Sequence, residues 1–427
     1  MKFTAVGDAI IQKRMSKDYS GFETISKFIQ KGDARYFNLE TTVNEEGECF
    51  ASQFCGGTHL RTSKRSFLDI LNFGFNMTSF NNNHTFDYSY DGFYRTCEAV
   101  KESGLVYAGV GLNIAEAAAP KYLETPKGRV ALISVSTSFK DSMLAGEQTS
   151  RVKGRPGVNG LRVEKSLCAN EEDFECVKRM GIKSGINSNY VSGAREGSKP
   201  PLPENVAMLG TLRVIKSDET GLLYTINSND VKRVQKAIEV AKWAADEVII
   251  SIHSHQQVKC NKEAVPEFLR DFAHLCIDTG ANAVVGHGPH LLRPIEIYKD
   301  SPIFYSLGNF MLQLYDLEYV PAEMYEKHNI SPDKSIYEFL KERSKNFTIG
   351  LMEEEKMSQS IIPYWETENG KLKYLEFLPI KICMDGNRAN IGLPFAAEDD
   401  GFMERLKELS GQFGVDIVKK DGKYICR

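Results

Sequence analysis

Four of the eight histidines in this 427-residue chain stand in two short clusters. IHSH brings His253 and His255 to the end of one apolar run, and GHGPH brings His287 and His290 to the end of another. Oxygen donors occupy matching places: Asp8 after KFTAVG, Glu40 at the end of YFNLE, and Asn83 in the asparagine run that follows MTSF. A carboxylate that closes a buried strand must be solvated, paired or bound to metal. Each residue alone has a plainer reading, since Asp after Gly and runs of Asn form turns, and a single histidine is usually a hydrogen-bonded structural residue. Carboxylates, an amide and imidazoles gathered at successive strand ends point instead to joint ligation of a divalent metal. Mixed oxygen and imidazole donors suit Mn, Fe or Zn, as one or two ions, rather than a dedicated Ca or Mg cage. No cysteine joins the pattern, so a thiolate zinc site is unsupported.

His84 follows Asn83 directly and precedes Asp87 by three residues. On a helical turn that spacing lets the Asp87 carboxylate accept a ring N–H and orient the imidazole. His84 therefore reads as an oriented acid, with Asp87 as its partner, rather than as another ligand.

The elements that must position these groups are short and alternate. Strand candidates are 2–8, 36–40, 77–84, 130–136, 247–255, 281–290 and 303–309, from their length and β-branched content. Helical patterns lie between them at 66–71, 94–103, 231–245 and 266–279. Strands alternating with helices predict an α/β fold with buried strands, in which ligands collect beyond the carboxyl ends of the strands. Two stretches, about 140–225 and 319–360, break the rhythm and read as insertions within a domain spanning 1–395. A C-terminal helix and a hairpin turning at Asp421-Gly422 occupy 396–427.

A net charge of −4 and a pI near 6.1 provide no broad electrostatic reason to expect nucleic acid. No run approaches the roughly 18 apolar residues that cross a bilayer, so no membrane segment is expected. With no signal core before Lys2 and nine cysteines lacking Cys-x-x-Cys spacing, the expectation is a cytoplasmic protein with free thiols.

VGD at 6–8, NLE at 38–40, NNHTFDY at 82–88, GVGLNIAEA at 109–117, GRPGVNGLR at 154–162, the histidine of IHSH, VVGHGPH at 284–290 and YSLGNF at 305–310 occur in order. In this the chain resembles the CapA capsule-synthesis family, linked to poly-γ-glutamate and related to calcineurin-like metallophosphoesterases. The resemblance implies a four-layer α/β/β/α sandwich with metal ligands Asp8, Glu40, Asn83, His253, His287 and His290, and with His84 as the catalytic histidine. It further implies that Arg155 and Arg162 grip an anionic polymer or small-molecule substrate, and that Asn309 lies at the substrate or behind the ligands; without the resemblance the arginines read as solvated residues of a Pro-Gly turn and Asn309 as a turn residue. The chain departs from the wider pattern in two places. Ile10 stands where Asp-x-His has histidine, and His253 is followed by Ser254, His255 and Gln256 instead of Trp-Gly. The implied reaction is hydrolysis of a γ-glutamyl amide or a phosphoester; the alternative is a non-catalytic, metal-binding assembly protein of a surface-polymer pathway.

Overall fold

EVIISIH becomes the strand Glu247–His253 with every residue buried, as a parallel strand covered on both faces must be. AVVGH does the same as Ala283–His287. The two run parallel with His253 directly beside His287, and Gly128–Ser136 lies parallel on the other flank. Lys121–Thr125 closes one edge of this six-stranded sheet, while Ser301–Phe304 and Ile295–Tyr298 close the other.

A ten-stranded sheet is built around Lys2–Ile10. Its parallel part adds Ala34–Leu39, Met77–Ser79 and Val106–Ala108. Its antiparallel part adds Gln359–Glu368, Lys371–Ile382 and the hairpin Ile417–Lys420 with Lys423–Cys426. The hairpin turns at Asp421 and Gly422, with φ of 50° and 75°, the left-handed pair that Asp-Gly supplies most readily. The protein is thus a mixed α/β structure with several sheets; the computed structural model describes residues 1–426.

Phe3, Ala5, Tyr36 and Met77 of the larger sheet form one apolar cluster with Val130, Leu132, Ile249, Val285 and Phe304 of the smaller. Val6, Ala9, Phe37 and Leu39 join a second cluster with the helical residues Ile25, Ile29, Phe67, Phe93 and Val100. Strict alternation would put Val6 and Ala9 on opposite faces. The register irregularity between Ala5 and Asp8 lets both join the helix-side cluster. Each fully buried Val, Leu, Ile, Phe or Met side chain among them contributes roughly 1.5–3 kcal/mol.

The chain forms two compact units, one of Met1–Gly160 and the residues from Lys232 onward, the other Leu161–Val231. The second contains a four-stranded sheet, the helices Glu171–Lys183 and Ser188–Arg195, and a small core of Ala169, Phe174, Ala207 and Val214. Residues 140–160, expected in the first insertion, belong to the first unit, where Leu144 bridges Val158 and Ser136 bridges Gly160. The stretch 319–360, read as polar, buries Val320, Met324, Phe339, Leu340 and Met352 in a cluster with Ile10 and Leu60. Among the described residues no helix is long and apolar enough to cross a membrane.

Candidate metal centre

The expected strand 2–8 ends at Asp8. The strand instead runs on to Ile10: through a bulge at Asp8 it stays paired with Ala34–Leu39 on one edge, while on the other edge Asn309–Leu312 takes over from Gln359–Glu368. Close approach allows this: a Cβ on Gly7 would land on the carbonyl of Gly308, which accepts from the Asp8 N–H at 3.0 Å. The Asp8 carboxylate is wholly buried. It accepts from Asn38 Nδ2 at 2.8 Å and from the Gly288 N–H at 3.0 Å. Gly288 reaches it with φ of 116°, packed so tightly on Ser254 that a Cβ would lie 2.9 Å from its backbone; glycine alone fits there.

Glu40 follows Ala34–Leu39 and is also wholly buried, yet neither carboxylate oxygen has a hydrogen-bond partner. Four imidazoles surround Oε1: His253 Nε2 at 3.6 Å, His290 Nε2 at 3.8 Å, His255 Nε2 at 3.9 Å and His84 Nε2 at 4.0 Å. Burial, and then the nearby Asp8 and Asp87 carboxylates, push the Glu40 pKa well above the usual carboxylate range. Burial likewise holds His253 well below the usual imidazole value, helped by the rings of His255, His287 and His290, and lowers His287 to about 4. The neutral imidazole is the form that ligates a cation.

Three overlapping sets each offer ligand atoms within 4.8 Å of one another: Asp8, His253 and His287; Glu40, His253 and His255; Asp8, Glu40 and His290. Asn83 completes them, its Oδ1 lying 2.7 Å from His253 Nε2 and 3.1 Å from His255 Nε2. His287 has its Nε2 3.0 Å from the Tyr36 hydroxyl, while its buried Nδ1 has no partner. Two orphaned carboxylate oxygens and an orphaned ring nitrogen, buried among imidazoles, are what a divalent cation would satisfy. The donor set therefore fits the Mn, Fe or Zn expected.

His84 is held as anticipated. Its Nδ1 lies 2.6 Å from Asp87 Oδ2, and Asp87 is fixed by the N–H groups of Gly56 at 3.1 Å and Leu60 at 2.8 Å. The ring's Nε2 is left facing Glu40.

Two arginines make contacts different from those expected, whereas Asn309 lies behind a candidate ligand, one of the places expected for it. Arg162 makes a two-pronged pair with Asp230, both contacts at 2.8 Å, so its guanidinium serves the second unit. Arg155 is exposed, donates from Nε to the Leu144 carbonyl at 2.9 Å, and does not line the cavity at the centre. Asn309 is fully buried, its Oδ1 3.0 Å from His290 Nδ1, while its Nδ2 donates to the His290 and Met357 carbonyls. It orients His290, which adopts a left-handed φ of 61° that a non-glycine residue holds only under constraint. Sequence reading missed Asn38 and Tyr36, although both share the parity of Glu40 and so face the same side as the site.

A buried cluster of Asp, Glu, Asn and His thus gathers at the carboxyl ends of strands from two sheets, and the family whose model this chain matches lies in the metallophosphoesterase-like superfamily. Residues 2–313 match the family described as bacterial capsule synthesis protein PGA_cap, and the chain belongs to that family. It is 31% identical over 438 aligned residues to "Uncharacterized protein y4sH" of Sinorhizobium fredii, spanning 99% of this chain and 92% of that one. "Capsule biosynthesis protein CapA" of Bacillus anthracis is 25% identical over 318 residues, 73% of this chain and 59% of CapA. A hypothetical protein from Thermus thermophilus, solved by crystallography, aligns with 89% of this chain and 99% of its own at a TM-score of 0.39 and 10% identity.

Proposed function

We propose that this chain is a metal-dependent hydrolase of bacterial capsule polyglutamate synthesis, cleaving a γ-glutamyl amide or a phosphoester. The two sheets and their covering helices would form the α/β/β/α sandwich of metallophosphoesterases. The observation that carries this reading is Glu40, a fully buried carboxylate with both oxygens unpartnered amid four imidazoles. Asp8, Glu40, Asn83, His253, His287 and His290 would hold the ion, with His255 beside them. A bound divalent cation supplies Lewis acidity and a water whose pKa is lowered toward neutrality. His84 keeps its Nδ1 proton directed at Asp87 and presents Nε2 to the centre, where the doubly protonated ring would give its Nε2 proton to the leaving group and return to the neutral imidazole, a step worth roughly 10²- to 10⁴-fold. Asp87 fixes the tautomer and orientation of His84 through its own two backbone contacts. The capsule reading draws on family membership and on the name of the Bacillus anthracis relative.

A second reading, a non-catalytic metal-binding assembly protein of the same pathway, is favoured by one observation. Ile10 is buried and apolar two residues beyond Asp8, where a histidine would add a ligand. Metal analysis of wild type, Asp8→Ala and His287→Ala, with assays on a generic phosphodiester and a γ-glutamyl peptide, separates the two. Metal lost in both variants together with wild-type turnover supports the hydrolase. Stoichiometric metal without turnover favours the assembly protein, and no metal in metal-replete buffer defeats both.

A further inference from the structure

A cavity of about 350 Å³ opens beside the centre, within the ~300–1,000 Å³ of small-molecule sites. Asn83, His84, His255 and His290 form part of its lining. Another part is different in kind: Leu314, Leu340, Ile349, Leu351 and Met352 make an apolar wall. All five come from beyond residue 313, outside the stretch that matches the capsule-synthesis family. Two cations, Lys262 and Arg343, also line it. Arg343 ends the helix Ile336–Arg343, is half-buried and donates to Thr58 Oγ1 at 2.7 Å. No carboxylate among the described residues lies within ion-pair distance of it. A guanidinium has five N–H donors, and one neutral partner leaves most of them available to an oxyanion. A polymer bearing a carboxylate on every residue has only its backbone methylenes to set against such a wall, and burying apolar surface is what a wall of this kind rewards.

We propose that the substrate is a small amphiphilic oxyanion, its carboxylate or phosphoryl group held by Arg343 and Lys262 and an apolar group of aryl or short acyl size lying on Leu340, Ile349 and Leu351. The scissile bond is an ester or amide that reaches His84 along the same cavity, and only this part rests on the hydrolytic reading above. The apolar group then belongs to the substrate's short end, and the segment 314–352 selects it.

Equilibrium binding of unreactive probes tests this without turnover. Phenylphosphonate against methylphosphonate, 4-phenylbutyrate against butyrate, and a γ-glutamyl tripeptide are titrated calorimetrically into the full chain, with and without Mn²⁺. The phenyl probe of at least one pair is expected to bind about tenfold more tightly than its partner, roughly one buried ring's worth, and the pair that responds identifies the oxyanion. Arg343→Gln should weaken that probe and its partner alike, by about tenfold. Ile349 is 47% exposed, so Ile349→Ser combined with Leu351→Ser should preserve folding, reduce the phenyl preference to about threefold or less, and leave the small probe's affinity unchanged. Equal binding of phenyl and small probes, tightest binding of the tripeptide, or indifference to Arg343→Gln would each overturn the proposal. Failure of the hydrolytic reading has a different signature: selective phenyl binding with no cleavage of phenyl-bearing esters or amides.

Discussion

Replacing Glu40 by glutamine should shift the stability of the metal-free and metal-loaded protein in opposite directions. The carboxylate is buried, unpartnered and held well above its ordinary pKa of 4.5 by burial and by Asp8 and Asp87. A folded-state pKa above the unfolded one means that the folded chain binds the extra proton. Its contribution is therefore fully present below pH 4.5 and is lost as pH rises toward the folded-state value. Within that window each pH unit removes about 1.4 kcal/mol. With roughly 2.1 cal/mol/K of unfolding entropy per residue, 427 residues correspond to about 0.9 kcal/mol per degree, so the loss is about 1.5 °C per pH unit. Glutamine has no proton to lose, so in chelator the variant should gain on wild type as pH rises above 4.5. A cation at a hundred times its Kd stabilises by about 2.7 kcal/mol, about 3 °C on the same scale. Glu40→Gln should forfeit most of that rise, because a neutral amide oxygen replaces a carboxylate ligand. Scanning fluorimetry across pH, with chelator and with Mn²⁺, reads both effects. Parallel pH curves in chelator together with an equal Mn²⁺ shift in both proteins would refute the assignment of Glu40 as an ion-dependent buried charge.

His84→Ala should lower kcat roughly 10²- to 10⁴-fold at unchanged metal content; metal lost along with activity would make His84 a ligand instead. Asn309→Ala removes the contacts that aim His290 and should weaken metal affinity about 10- to 100-fold, read by competition with a chromophoric chelator. Arg162→Ala should leave KM within about twofold while destabilising the second unit by about 1–3 kcal/mol, because buried Asp230 loses its bidentate partner; a KM effect without a stability effect would return Arg162 to the substrate. Gly7→Ala should destabilise by about 1–3 kcal/mol or more, seen as a lower Tm, since its Cβ would meet the Gly308 carbonyl where two strands must touch.

The candidate ligands legible in the sequence were those whose place depends only on where a strand ends. Asp8, Glu40, Asn83, His253 and His287 each stand at or near the end of an apolar run, and that is a property of one dimension. The relation of His84 to Asp87 was legible for the same reason, three residues apart on one turn. His255 and His290 could not be settled, because loop paths decide them: Gly288 at φ 116° and His290 at φ 61° fold GHGPH back onto Asp8. The arginines failed for lack of a partner in view. Asp230, which captures Arg162, lies 68 residues away at the start of the helix Ser228–Ala244. The cavity wall was hidden because Leu314, Leu340, Ile349 and Leu351 are spread over a largely polar stretch with no helical or strand period to mark them.

Several unfavourable local features meet at one pair of carboxylates. Asp8 lies at a bulge made possible by a glycine-to-glycine approach, Gly288 and His290 hold positive φ to reach it, and Glu40 keeps two oxygens without a hydrogen bond. A fold with no use for charge at this point would gain from Gln or Leu in place of Glu40. Strain at a buried point beside neutral imidazoles that can accept a cation is how a protein preorganises a site rather than how it builds a core. The same logic accounts for Asn309 and Asp87. Neither touches the cavity, yet each uses its hydrogen bonds to fix one histidine, His290 and His84 respectively. A merely structural ion would require the first of these histidines to be aimed but not the second, so the rigid pairing of His84 with Asp87 is the feature that argues for proton transfer.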